Sequence, residues 1–493
     1  MAKSERSYAL DALRGLALLG MALSGRLPWG TLPPWMYHAQ TPPPEMKLNE
    51  QVSGITWVDL VFPFFLFSMG AAMPFALGKR LDKGDSEFGL VWKILKRGFL
   101  LALFAIACQH FRPGTLDVQG FRANDWMAIG LFVAMLMAWG TINLKTEIPD
   151  QGKRAETEAR IKYIGWMILI FAALFLPFKN PSTWDWNRSD IILLVLANVV
   201  VSGGILYVLS RRWKYTLPIA MLVMFPAFLL KSQPWMTEFW NFSLVPWLFK
   251  WEFHKYLMIV IPGIWAGQTL YCLRSETTAQ DEIQIQSDDR KQYLLFAVTG
   301  IAVNVVSVIA LLAQRSTTIS ALAIGLIIPI WNLTRLKDHG GKIATLHRMI
   351  GIGSLLLLFG LALTQFAGGI RKDSTTISYF FVTSGLAFYA LVALIAIEEY
   401  RKPKVIEDPE LPVTLSLTES KPGFLALVGA NPMIGYIVIT NFAYGLVRVT
   451  GLHDWVGGQS WSPWGFAAYG LFQTLLVGLL TAGYTKAGVF MRT

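Results

Sequence analysis

Apolar runs long enough to cross a bilayer follow one another along almost the whole chain, and no other feature narrows its fold so far. Segments such as "IILLVLANVVVSGGILYVL" (191–209) and "FFVTSGLAFYALVALIAI" (380–397) carry no charged side chain. A hydrocarbon core about 30 Å thick takes roughly 20 apolar residues per helix. We therefore expect an all-α polytopic membrane protein, a single integral-membrane domain over 1–493. Helices are expected near 8–25, 57–77, 95–110, 124–143, 161–178, 190–209, 215–230, 255–273, 292–313, 317–334, 347–367, 376–398, 424–447 and 465–488. Several of these runs are short, so the expected bundle has about 11–14 helices.

Composition agrees: 54% of the 493 residues are hydrophobic and 15% charged. The net charge of +11 would suggest nucleic acid for a soluble chain. Here it has a topological cause, and no nucleic-acid partner is expected. With a cytoplasmic N-terminus, most of the 43 Lys and Arg fall in inner segments, as the positive-inside rule requires. Most of the 19 Trp fall on the outer side. The first run lacks a clear small-residue cleavage site and is read as a retained helix. The polar, Pro-rich stretch 398–423 is read as a cytoplasmic linker before the last helices. Cys108 and Cys272 belong to opposite faces, so no disulfide is expected between them.

Chemistry-bearing residues are few. His38 lies in the outer loop 26–56, between "PPWMY" and "AQTPPPE". Prolines fix backbone angles and remove donors, so the segment is stiff and non-helical. Histidine titrates near neutral pH and can take a proton or attack an acyl donor; the plain alternative is a solvated loop residue. Asp59 opens the second helix, where the helix dipole favours a carboxylate, and where it would also serve to orient a histidine. Asp11 and Arg14, three apart on the first helix, can neutralise each other. Asn124 and Asp125 read first as helix-start residues. The outer histidines His110, His254 and His453 and the inner His339 and His347 show no zinc-site spacing, so no metal is expected. The tryptophans at 235, 240, 247 and 251 read as an interfacial belt before a sugar platform. Among the inner basic groups, Lys96 and Arg97 are candidates to hold phosphates.

Several segments together resemble one family. "SYALDALRGLALLGMALSG" (7–25) and "GITWVDLVFPFFLFSMGAAM" (54–73) are similar to the first two helices of membrane acetyltransferases related to heparan-α-glucosaminide N-acetyltransferase. Weaker echoes are "ILKRGFLLALF", "LMIVIPGIWAGQTL" and "GANPMIGYIVI". Residues 1–110 form the signature region. The resemblance implies transfer of acetyl from cytoplasmic acetyl-CoA to an amino or hydroxyl group of an extracytoplasmic sugar or glycan, glucosamine-like in character. It implies His38 as the active histidine and matches Asn431 to an asparagine of the family; Arg14 joins Lys96 and Arg97 as a candidate for binding the coenzyme. Two departures stand out. Gly54 follows His38 by sixteen residues, a longer loop than the family's, and Ser24–Gly25 stand where the family tends to have asparagine.

The resulting expectation is an acyltransferase of a multi-pass membrane, in the bacterial inner membrane, with membrane lipid around it and a homodimer left open. His38 would act as general base or as acetylated nucleophile, Asp59 would orient it, and Asn431 would donate to the oxyanion. The rival expectation is a transporter or permease for a sugar or organic anion. A third is a non-catalytic membrane component that binds glycans or partner proteins.

Overall fold

The computed structural model describes residues 7–142, 151–230, 233–276, 289–312, 341–401 and 421–491. The helix expected over 317–334 and most of the linker over 398–423 lie outside the described residues. Twelve of the helices form the frame: α1 (Tyr8–Ser24), α2 (Trp57–Met73), α3 (Glu87–His110), α4 (Ala123–Trp139), α5 (Gln151–Phe175), α6 (Ile191–Arg212), α7 (Thr216–Leu229), α8 (Leu257–Glu276), α9 (Asp289–Leu312), α10 (Gly341–Ala362), α11 (Ile377–Tyr400) and α12 (Pro463–Lys486). The protein is all-α and polytopic. Among the described residues eight helices are long and apolar enough to cross a membrane, and α4 and α7 are shorter apolar ones. Helix α1 has 17 residues and carries Asp11 and Arg14, which explains why length and composition alone do not single it out.

Small residues bring the central helices together. In "GIWAG", Gly263 and Gly267 of α8 lie so close to α2 that a Cβ would come within 2.3 Å of the Phe67 carbonyl oxygen and 2.2 Å of that of Ala71. Without a strong hydrophobic drive between helices inside a bilayer, such small-residue seams are what allow close packing. Of the eight spans, α11 is the most enclosed and α9 the least.

The run expected as one helix over 424–447 is broken. It forms Phe424–Gly429, Pro432–Ile437, a wide turn over Val438–Phe442 and Ala443–Val449. Pro432 has no N–H to donate to a preceding turn, and Gly429 abuts α1, where a Cβ would sit 1.8 Å from the Asp11 carbonyl oxygen. The strands β1 (Gly140–Ile142) and β2 (Val489–Met491) pair antiparallel. They tie the end of α4 to the segment after α12.

Candidate active site

Two loops meet at one end of the bundle. The first leaves α1 and returns into α2; the second joins α10 to α11. Tyr37 anchors the first. Its hydroxyl donates to the Pro28 carbonyl and accepts from the backbone N–H of Thr31 and Leu32, and its own carbonyl accepts from Thr56 Oγ1 at 2.7 Å. His38 is thereby delivered to the N-terminus of α2.

That N-terminus is built around Asp59. Thr56 caps the helix, its Oγ1 accepting from Val58 N at 3.2 Å, while Thr56 N donates back to Asp59 Oδ2 at 2.9 Å. This reciprocal capping box fixes the carboxylate. Ala39 N also donates to Oδ2, at 3.1 Å, and Oδ1 lies 2.6 Å from His38 Nδ1. Asp59 is fully buried, and the His38 side chain is 35% exposed. A carboxylate so close makes Nδ1 the protonated nitrogen and leaves Nε2 as the ring's acceptor. A buried carboxylate orienting a half-exposed imidazole is a general-base arrangement.

Lys372, on the second loop, brings its Nζ to 3.2 Å from both ring nitrogens of His38. No pattern near position 372 announces it. What delivers it is Gln40, buried between the loops. Its Nε2 donates to the carbonyls of Val52 and Gly54, its Oε1 accepts from Lys372 N at 3.2 Å, and its backbone carbonyl accepts from Asn49 N. The first loop is therefore folded back against the second. Gly54 N donates to the Ile370 carbonyl, Ile370 N to Ser53 Oγ, and Arg371 reaches the Glu50 carbonyl. Gly54 has φ +136°, and a Cβ there would lie 2.4 Å from the Leu311 carbonyl oxygen.

The other candidates lie elsewhere. Asn431 Nδ2 donates to the Val489 carbonyl at 2.7 Å, and its Oδ1 accepts from Met491 N at 3.3 Å. It holds β2 at the far end of the bundle from His38, so the structure does not bring it to the oxyanion position expected above. Arg14 pairs with Asp11 at 3.2 Å and donates to the carbonyls of Gly429 and Ser68, joining α1 to α2 and to the broken helix. Lys96 and Arg97 are exposed on α3. Of the other histidines, His110 is spent on packing. Its Nδ1 bonds the Ile106 carbonyl, Nε2 accepts from Asp185 N, and the ring stacks on Trp184 at 4.0 Å. His254 likewise stacks on Trp251 and bonds its carbonyl. Trp240 is buried and donates to the Ala227 carbonyl, so neither Trp240 nor Trp251 is free to form a sugar platform. Among the described residues no three His, Cys, Asp or Glu side chains gather as a metal site.

A family model described as a domain of unknown function (DUF5009) matches residues 6–270. Over 102 residues the chain is 33% identical to the heparan-alpha-glucosaminide N-acetyltransferase of Homo sapiens, and over 103 residues 30% identical to that of Mus musculus. These stretches cover 20% and 21% of this chain, and only 13% and 14% of the two relatives.

Proposed function

The chain belongs to the family described as a domain of unknown function, DUF5009, and we propose that this member is a membrane acyltransferase working through His38 and Asp59. The donor in this reading is acetyl-CoA on the cytoplasmic side, and the acceptor is an amino or hydroxyl group of an extracytoplasmic sugar or glycan. One observation carries it: the 2.6 Å contact between His38 Nδ1 and buried Asp59, in a chain with partial similarity to membrane N-acetyltransferases.

A thioester is already activated, so the protein must supply a deprotonated nucleophile and stabilise the tetrahedral oxyanion. His38 Nε2 takes the proton of the acceptor nitrogen or oxygen as that atom bonds to the acetyl carbon. The C–S bond then breaks, and the coenzyme leaves as a thiolate that accepts a proton. In a two-step variant Nε2 itself takes the acetyl group before passing it on. Asp59 holds the tautomer and balances the imidazolium. Lys372 fits the role of oxyanion donor, which Asn431 is too remote to fill. When the acceptor reaches Nε2, the ammonium moves off that nitrogen toward the developing negative charge. Lys96 and Arg97 are our candidates for the coenzyme's phosphates; Arg14, with its donors committed to three partners, is assigned to packing.

The test is label transfer from radiolabelled acetyl-CoA to a panel of amino sugars by the purified protein in nanodiscs. Transfer is expected, and His38→Ala should lower it by about 10²–10⁴-fold with the elution profile unchanged. Substrate uptake into vesicles with no transfer of label would establish a transporter instead.

A further inference from the structure

A cavity of about 1040 Å³ lies between α1, α2, α9 and α11. At Gly20, α1 meets α2, a Cβ there falling 2.9 Å from Val61 Cγ2; at Gly300, α9 meets α11, 2.5 Å from the Tyr389 carbonyl oxygen. Between these two contacts the helix pairs leave a groove. Its walls are apolar apart from Asn304, whose Nδ2 is tied to the Gly300 and Leu386 carbonyls. Ile301, Val305 and Ile309 on the α9 wall are half-exposed or more, so among the described residues the groove opens sideways to the hydrocarbon.

Its upper end lies at the catalytic loops. Pro34, Trp35, Trp57 and Leu312 line it there. Trp57 follows the cap residue Thr56, and three residues of chain from Trp35 to His38 span at most about 10 Å. From Gly300 to Leu312, α9 rises about 18 Å, more than half of a hydrocarbon core about 30 Å thick. The groove therefore runs from the catalytic loops past the middle of the bundle to Leu394 and Ile397 of α11, with its mouth toward His38.

We infer that this groove holds the hydrocarbon chain of a lipid-linked acceptor, which presents its sugar head to His38 from the adjoining leaflet. This rests on the acyltransferase reading and names its acceptor class. Length, apolar walls, the lateral opening and the mouth beside the catalytic loop all suit a single long chain. A second protein copy would have to fill a slot that reaches inward to Ala390 and Ala393 of α11.

The probe is hexadecyl glucosaminide with a diazirine in its chain, presented to the protein in nanodiscs without any acetyl donor. Irradiation should label α9 and the α2 wall, and the double variant Val305→Trp, Ile309→Trp should lose at least tenfold of that label. With acetyl-CoA present, wild type should show kcat/KM for hexadecyl glucosaminide at least tenfold above that for free glucosamine, and the double variant should lose this preference. Elution profile and thermal unfolding check that the variant folds; the single variant Val305→Trp, giving an intermediate loss, serves if it does not. Label spread evenly over all lipid-facing helices, or unaffected by filling the groove, overturns the inference. Groove-specific label without acetyl transfer to either sugar overturns the acyltransferase reading and leaves the lipid site standing. Transfer to free glucosamine without groove label does the reverse.

Discussion

At His38 the direction of one proton decides what the site can do. Asp59→Asn retains a carbonyl oxygen for the N–H groups of Thr56 and Ala39 but turns an NH₂ toward His38 Nδ1, the atom now 2.6 Å from Oδ1. Nδ1 must then accept, the proton moves to Nε2, and the base is lost. We expect kcat to fall by about 10³–10⁴-fold with little change in melting temperature. Lys372→Met should lower kcat by about 10²–10³-fold with KM for the acceptor nearly unchanged; steady-state kinetics with radiolabelled acetyl-CoA on both variants separates the roles. A Lys372→Met enzyme as fast as wild type would remove Lys372 from the mechanism. These residues also mark how far the sequence could be read. His38 and Asp59 were legible because a local signature surrounds them. Lys372 lies 334 residues from His38 and is positioned by Gln40, a loop glutamine with no pattern of its own, so neither could be found without the fold.

Helix α2 is held to the rest of the bundle by a defect in its own hydrogen bonding. Pro63 lies four residues after Asp59 and has no N–H to give the Asp59 carbonyl, which in a regular helix would be its partner. The Tyr379 hydroxyl of α11 donates to that oxygen instead, at 2.8 Å. The helix bearing Asp59 is thus fastened to the most enclosed of the eight spans. Tyr379→Phe leaves a buried acceptor unpaired and should cost about 1–3 kcal/mol of stability. Pro63→Ala supplies the missing N–H, so in the double variant most of that loss should be recovered. Thermal unfolding of all four proteins tests this; additive effects of the two changes would mean that Pro63 and Tyr379 do not share the Asp59 carbonyl. The apolar lengths of α2 and α11 are plain in the sequence, and so is the proline. Their relation is not, because a vacant carbonyl has no signature until its partner is known. The interruption at Asn431–Pro432 is hidden for a related reason: the apolar run continues through it, although the proline ends the preceding turn.

For the whole molecule, the question is how the two ends of the bundle divide the work. The two facing loops gather His38, Asp59 and Lys372 at one end, while Asn431, 58 residues before Val489 in sequence, fastens β2 at the other. Seventeen residues of α2 alone span about 25 Å, more than a side chain can reach. The resemblance matches Asn431 to an asparagine of the family, for which an oxyanion role is expected, and its position as a donor to Val489 and acceptor from Met491 argues for a structural one. Asn431→Ala removes two bonds from the β1–β2 clasp, which also ties down the end of α4. Stability should drop by about 1–3 kcal/mol, whereas kcat and KM of the folded fraction should stay close to wild type. Thermal unfolding and kinetics on the same preparation decide between the roles. A large fall in kcat at unchanged melting temperature would return Asn431 to the chemistry and require the C-terminal strand to release it during turnover.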